Sequence, residues 1–169
     1  MIRASLLRFC ALAALLCPMP THAASVSASS TGKATILKSL SVVKQADLDF
    51  GELVVSGAGS AVMDPVSGAT TTTGPVTPTG VPGHPAQFTA TGSRNSVVII
   101  HVPTAPATLT RVGGTETMTV SNWTLDGPVM RQIPLNSAFN FSVGGTLKVA
   151  AGQVEGTYTG TFTVQVNYP

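Results

Sequence analysis

The sequence predicts an all-β protein, a sandwich of short antiparallel strands. Three observations point to it. Apolar residues recur at every second position in stretches such as AQFTATG, AFNFSV and GTYTGTFTVQVNYP, the period of a half-buried strand. Gly- and Pro-rich turns separate these short stretches at fairly even intervals. The chain is rich in Thr, Val, Gly and Ser and only 9% charged, a β composition. No stretch beyond the first two dozen residues repeats apolar positions at a helical period, and no internal repeat stands out. The matching architecture is an immunoglobulin-like β-sandwich.

The front of the chain reads differently. Arg3 and Arg8 flank the apolar run LLRFCALAALLC, which is too short for a membrane span and is followed by Pro18 and the small residues of THAA. This predicts a secretory signal peptide over residues 1–23, with cleavage between Ala23 and Ala24. A lipidated Cys17 is disfavoured by Leu16 before it and Pro18 after it. Cys10 and Cys17, the only two cysteines, fall inside this segment, so the exported chain has no disulfide to hold it. Removing Arg3 and Arg8 leaves equal numbers of basic and acidic residues, which gives no electrostatic case for nucleic acid. No second apolar run is long enough to span a membrane. The remainder, Ala24–Pro169, fits one domain.

The small polar run ASVSASSTG begins it as a flexible leader. KATILKSLSVVK then places Ala34, Ile36, Leu40 and Val42 on one face at period two, interrupted by Lys38. LDFGELVV reads as a strand with a bend at Gly51, SGAGS as a turn, and AVMD as a short strand stopped by Pro65. Residues 65–85 hold most of the Pro and Gly and predict a loop, with brief edge pairing near Thr71 and Val76. AQFTATG and SVVIIHV read as core strands, and TAPATLTRVGGTE as a loop with one short strand. TMTVSNWTLD alternates at Met118, Val120 and Asn122, or at Thr119 and Trp123 if a bulge shifts the register. GPVMRQIPLNS reads as a connection. AFNFSVGGTLKVA predicts a hairpin turning at Gly144–Gly145, and AGQVEG leads into the last strand.

Little of this carries chemistry. Asp47, Asp49 and Glu52 crowd together in DLDFGE, and two of them share a strand face, as a calcium site would require. Such residues are more often solvated surface carboxylates, with Asp47 capping a turn. His84 and His101 are isolated, with no cysteine and no carboxylate pair beside them, which is not a zinc pattern. There is no G-x-S-x-G and no triad ordering, and the short glycine turns precede no helix that could bind phosphate. Trp123 suits a sandwich core or a sugar-stacking platform, and NWT and NFS match a glycosylation sequon. The expectation is no enzyme, no cofactor and no metal.

The ending is the most regular part. Tyr158, Phe162, Val164, Val166 and Tyr168 alternate with Thr157, Thr159, Thr161, Thr163, Gln165 and Asn167, with Gly156 fourteenth from the last residue and Tyr168 next to it. This resembles the C-terminal signature of subunits assembled by the bacterial chaperone–usher pathway. LDFGEL, VGGTLKVAAGQ and GTYTGTFTVQVNY, with the signal peptide, also resemble a secreted bacterial family known as domain of unknown function 4402, related to pilin-like and spore-coat-U-like proteins. The resemblance implies a pilin-like sandwich completed by a donated strand. It implies a periplasmic chaperone and outer-membrane usher as partners, and self-association into a fibre at the cell surface.

On that reading the acceptor strand carries Gly156, Tyr158, Phe162, Val164, Val166 and Tyr168. The donor carries Ala34, Ile36, Leu40 and Val42, so residues 24–43 form an N-terminal extension or first strand and 44–169 the sandwich. The alternative is a self-contained secreted sandwich that binds a ligand such as a glycan through Trp123 and the 65–85 loop. A non-polymerising adhesin or coat protein shares the same fold.

Overall fold

The computed structural model describes residues 25–169. The expected signal peptide and the junction between Ala23 and Ala24 lie outside them. The chain divides into Met1–Thr35 and Ile36–Pro169. In the first part, residues 25–35 are exposed and carry no regular secondary structure. The second part holds the strands: β1 (Ser41–Ala46), β2 (Leu53–Val55), β3 (Gly59–Met63), β4 (Thr70–Thr73), β5 (Val76–Pro78), β6 (Ala86–Thr91), β7 (Val97–His101), β8 (Ala107–Arg111), β9 (Thr117–Leu125), β10 (Met130–Gln132), β11 (Ala138–Val149), β12 (Tyr158–Thr159) and β13 (Gln165–Asn167). All ladders are antiparallel, consistent with the predicted β-sandwich.

The large sheet runs β1-β6-β11-β9-β8-β12, with β3 also on β11 and β4 on β3. Two smaller sheets, β10-β7-β13 and β2-β5, pack on it. The first buries Val98, Ile100 and Val166 against Ala90, Phe141 and Val143 of the large sheet. The second packs Leu53, Val55 and Val76 over Met63, Val120, Leu147 and Val149. Burying side chains of this size contributes roughly 1.5–3 kcal/mol each. Asp126, just past β9, ties two sheets together. Its carboxylate accepts from Arg131 of β10 (2.5 Å) and from the backbone N–H of Ser142 in β11 (2.9 Å).

Several strands lie where the sequence places them: β6 and β7 as core strands, β8 as the short strand in its loop, and β4 and β5 near Thr71 and Val76. The expected hairpin is overturned. Gly144–Gly145 makes no hairpin turn, because β11 runs straight through it for 12 residues. The glycines answer a steric need instead: a Cβ on Gly144 would lie 2.2 Å from the Met63 carbonyl oxygen and 3.0 Å from Pro65 Cδ. A glycine within a strand marks such close approach as readily as it marks a turn. Opposite Gly145 the ladder skips from Gly144↔Thr124 to Thr146↔Ser121, a bulge in β9 with Asn122 at φ 49°. TMTVSNWTLD thus follows neither expected register throughout: Met118 and Val120 keep the first, Asn122 is exposed at the bulge, and Trp123 turns inward beyond it. GPVMRQIPLNS, expected as a connection, contributes β10.

Candidate functional site

The two small sheets leave part of the large sheet's inner face uncovered. A cleft of about 1130 Å³ opens there, floored by apolar side chains including Phe88, Leu109, Met118, Val120 and Trp123. One wall is the stretch from Lys44 to Leu53, and the other is the C-terminal stretch from Glu155 to Phe162. In the first wall the main chain of Asp49 exchanges two hydrogen bonds with His84 (2.9 and 2.8 Å), while the Asp49 carboxylate accepts from the Gly51 N–H (2.8 Å). This fixes the bend at Gly51 (φ 75°) and turns Phe50 inward, 8% exposed. Asp49 and His84 thus shape the wall. Asp47 pairs with Lys44 at 2.5 Å. Among the described residues no three His, Cys, Asp or Glu side chains gather as metal ligands. No helix there is long and apolar enough to cross a membrane.

The second wall is the regular ending. Its even positions Tyr158, Phe162, Val164 and Tyr168 are half-buried and Val166 is buried, while Thr157, Thr159, Thr161, Thr163, Gln165 and Asn167 are all exposed. The stretch changes sheets as it runs. β12 pairs with β8 on the large sheet and β13 pairs with β7 on the small one. Gly160 permits the crossing, since a Cβ there would lie 2.3 Å from the Thr108 carbonyl oxygen. Gly156 begins the stretch at φ 138° against the Arg111 side chain. Between β12 and β13, residues 160–164 join no ladder among the described residues.

The backbone direction at this edge follows from the ladder. Ile100 donates its N–H to Val129 on the β10 side (2.9 Å), so its main chain faces away from β13. Its partner across the pair is Val166, whose N–H and C=O therefore point outward from the sheet. Phe162 is the last residue of the ending to line the cleft, while Val164 packs against the core cluster and Val166 is part of it.

Aromatic rings line the floor. Phe162 lies 4.5 Å from Trp123 and 6.4 Å, edge on, from Phe88, which in turn stacks on Phe141 at 5.3 Å. The Trp123 N–H donates to the Ala105 carbonyl (3.1 Å). With its ring under Phe162 and its polar handle engaged, Trp123 serves as floor. His101 ends β7, opposite Gln165.

At the far end a clamp appears that sequence reasoning missed. The Tyr168 hydroxyl accepts the Ser93 N–H (2.8 Å) and donates to the Lys38 carbonyl (2.7 Å). The partners lie 75 and 130 residues away, and no local pattern announces such a contact.

The four residues expected on a donor strand divide. Leu40 packs against the core and Val42 sits in β1, opposite Ala90 of β6. Ile36 is 96% exposed, and Ala34 is exposed and outside any strand. β1 itself runs across the boundary expected between residues 43 and 44.

The match to known families covers this same unit. The family model described as Domain of unknown function (DUF4402) matches residues 40–168. The chain belongs to that family. The DUF4402 match begins at Leu40, the first of the donor residues to pack in the core, and takes in the whole acceptor stretch from Gly156 to Tyr168. Ala34 and Ile36 precede it. No curated protein and no solved structure matches the chain.

Proposed function

We propose that this chain is a secreted structural subunit of a bacterial surface fibre, an immunoglobulin-like, pilin-like sandwich whose cleft takes a β-strand from a neighbour. The observation that carries this is the C-terminal edge. Residues 160–162 line an apolar cleft and join no ladder, and β13 beyond them ends its sheet as an edge strand. An open edge over apolar surface is a template for strand addition and, left empty, an aggregation hazard. Phe162, Val164 and Val166 offer the acceptor backbone, with Tyr158 and Tyr168 toward the two ends. A periplasmic chaperone would hold the cleft before assembly, and an outer-membrane usher would pass the subunit on.

The donor is the segment ahead of the fold. Ala34 and Ile36 are available as they stand, whereas donating Leu40 and Val42 as well requires β1 to leave β6.

The test compares the chain from Ala24 to Pro169 with a variant carrying a second copy of residues 25–40 after Pro169 on a flexible linker. The native chain should form ladders in solution mass measurements. The variant should be a monomer with a higher thermal midpoint. A native chain that is a stable monomer at every concentration, and gains nothing from the added segment, would overturn the reading.

A further inference from the structure

We propose that Thr77 is a glycosylation site, whose hydroxyl takes a sugar from a phosphate-linked sugar donor. The assignment stands on the stretch from Thr70 to Pro85 and does not depend on what fills the cleft.

Composition marks the stretch. It holds six threonines and four prolines, and His84 is its one titratable side chain. Threonine interleaved with proline is the composition of O-glycosylated segments, in which proline keeps the chain extended and the hydroxyls reach water. The structure then separates the threonines. Thr70 has its hydroxyl buried, Thr72 is half-buried, and Thr73 shares a hydrogen bond with Ser60 (2.7 Å). Thr79 donates to the Glu52 carboxylate (3.3 Å). Thr71 and Thr77 are exposed and enter no side-chain hydrogen bond among the described residues. Thr71 stands within β4 between two other threonines. Thr77 stands in β5 between Pro75 and Pro78, and a following proline confines a residue to extended backbone.

The main chain around Thr77 is held on one side only. Thr77 pairs with Val54 of β2. The ladder is closed by the Ser56 N–H donating to the Pro75 carbonyl and the Thr79 N–H donating to the Glu52 carbonyl, both at 3.0 Å. The other side of β5 joins no strand among the described residues. Val76 is buried, so the next side chain along the strand, Thr77, turns to solvent. The acceptor hydroxyl is thus fixed on an extended strand that a transferase can approach from its open edge. Across the pair Val54 is 58% exposed. A sugar on Thr77 would cover that apolar side chain and shield the edge from pairing with another chain. The two asparagine sequons are placed differently. Asn140 lies within β11 with its amide oxygen accepting from the Thr89 hydroxyl (2.8 Å), and Asn122 lies within β9 at the bulge.

In the transfer, the Thr77 oxygen bonds the sugar's anomeric carbon as that carbon's bond to the donor phosphate breaks. The hydroxyl proton passes to a base of the transferase, and the phosphate leaves with the bonding pair.

The test is mass spectrometry of the chain recovered from the cells that make it. The intact native chain should exceed the mass of its sequence by whole sugar residues. Trypsin cuts after Lys44 and Arg94 with no basic site between, so the peptide 45–94 should carry the excess. Electron-transfer fragmentation should place it on Thr77. Mild alkali should release the sugar by β-elimination and leave a dehydrated threonine there, whereas a sugar on asparagine nitrogen would survive. Thr77→Val, which keeps the side chain's shape on a strand, should lose the excess, and Thr77→Ser should retain it. A native chain with the bare mass of its sequence would overturn the assignment. So would sugar found only elsewhere, on residues 25–31, Thr71 or Asn122.

Discussion

Tyr168→Phe removes one oxygen atom and tests how the end of the domain holds its beginning. The ring stays, so its packing against the core is unchanged and no cavity opens. Two hydrogen bonds are lost, one accepted from the Ser93 N–H at 2.8 Å and one donated to the Lys38 carbonyl at 2.7 Å. A neutral hydrogen bond contributes about 1 kcal/mol net, so the substitution should destabilise the fold by about 2 kcal/mol. For a domain of this size that is a fall of about 6 °C in melting temperature. The damage should also be local. Lys38 leads into β1, and Ser93 lies just past β6, so the amides of Ser93 and of residues 38–43 should exchange several-fold faster while those of β7 and β11 stay protected. Thermal melts followed by circular dichroism, with hydrogen exchange read by mass spectrometry, give both numbers. A melting temperature within about 1 °C of the native chain, and unchanged exchange at residues 38–43, would mean that water replaces the hydroxyl at no loss and that the clamp does not hold the two ends together.

Gly144→Ala should destabilise by about 3 kcal/mol, since the new Cβ meets a backbone carbonyl at 2.2 Å rather than a side chain that can yield. A neutral result in a denaturant melt would return the Gly144–Gly145 pair to a turn. Val164→Lys and Ile36→Asp should separate fold from assembly. The half-buried Val164 position should lower the melting temperature as well as association, and the exposed Ile36 position only association. Glu116 accepts from Arg111 at 2.7 Å, which lowers its carboxyl from 4.5 to about 2. A carboxyl lowered on folding stabilises above its unfolded value and loses that contribution as pH falls. The native chain and Glu116→Gln should therefore differ in melting temperature at pH 6 and converge as pH drops from about 4.5 toward 2. Parallel curves over that window would show that the ion pair contributes nothing.

What the sequence revealed, and what it hid, divide along physical lines. Period-two alternation reports which face of a strand is buried, and it reads the whole ending correctly, because the even side chains turn inward even across residues 160–164 where the ladder lapses. It does not report which strand is the neighbour. The same ending pairs first with β8 and then with β7, and the change depends on the close approach of Gly160 to Thr108. Gly144–Gly145 carries the local signature of a turn, and only the Met63 carbonyl, brought in by β3, makes it a straight run. A bulge near Trp123 was readable as an alternative, but not its place, since Met118 and Val120 hold the first register up to Asn122 and only the pairing with β11 sets where it shifts. The cleft is a gap between two small sheets over a large one. No single stretch encodes it.

An occupant of that cleft has two surfaces to satisfy, which is why its chemistry matters more than its volume. The floor of Phe88, Leu109, Met118 and Trp123 favours any apolar group. The wall beside it is main chain, and unpaired N–H and C=O groups beside an apolar surface lose free energy whenever water is displaced without replacing its hydrogen bonds. A small apolar ligand would cover the floor and leave that wall worse off. A sugar would pair with the wall but leave the floor wet, and the Trp123 N–H is already given to Ala105. A strand meets both at once, because its backbone and its side chains repeat on the same 3.3 Å rise as the edge it joins. The strand-donation proposal therefore predicts that peptides of the 25–38 sequence compete with assembly. Scrambling the alternation at constant composition should abolish that competition, and equal competition by the scrambled peptide would show that the floor alone drives binding.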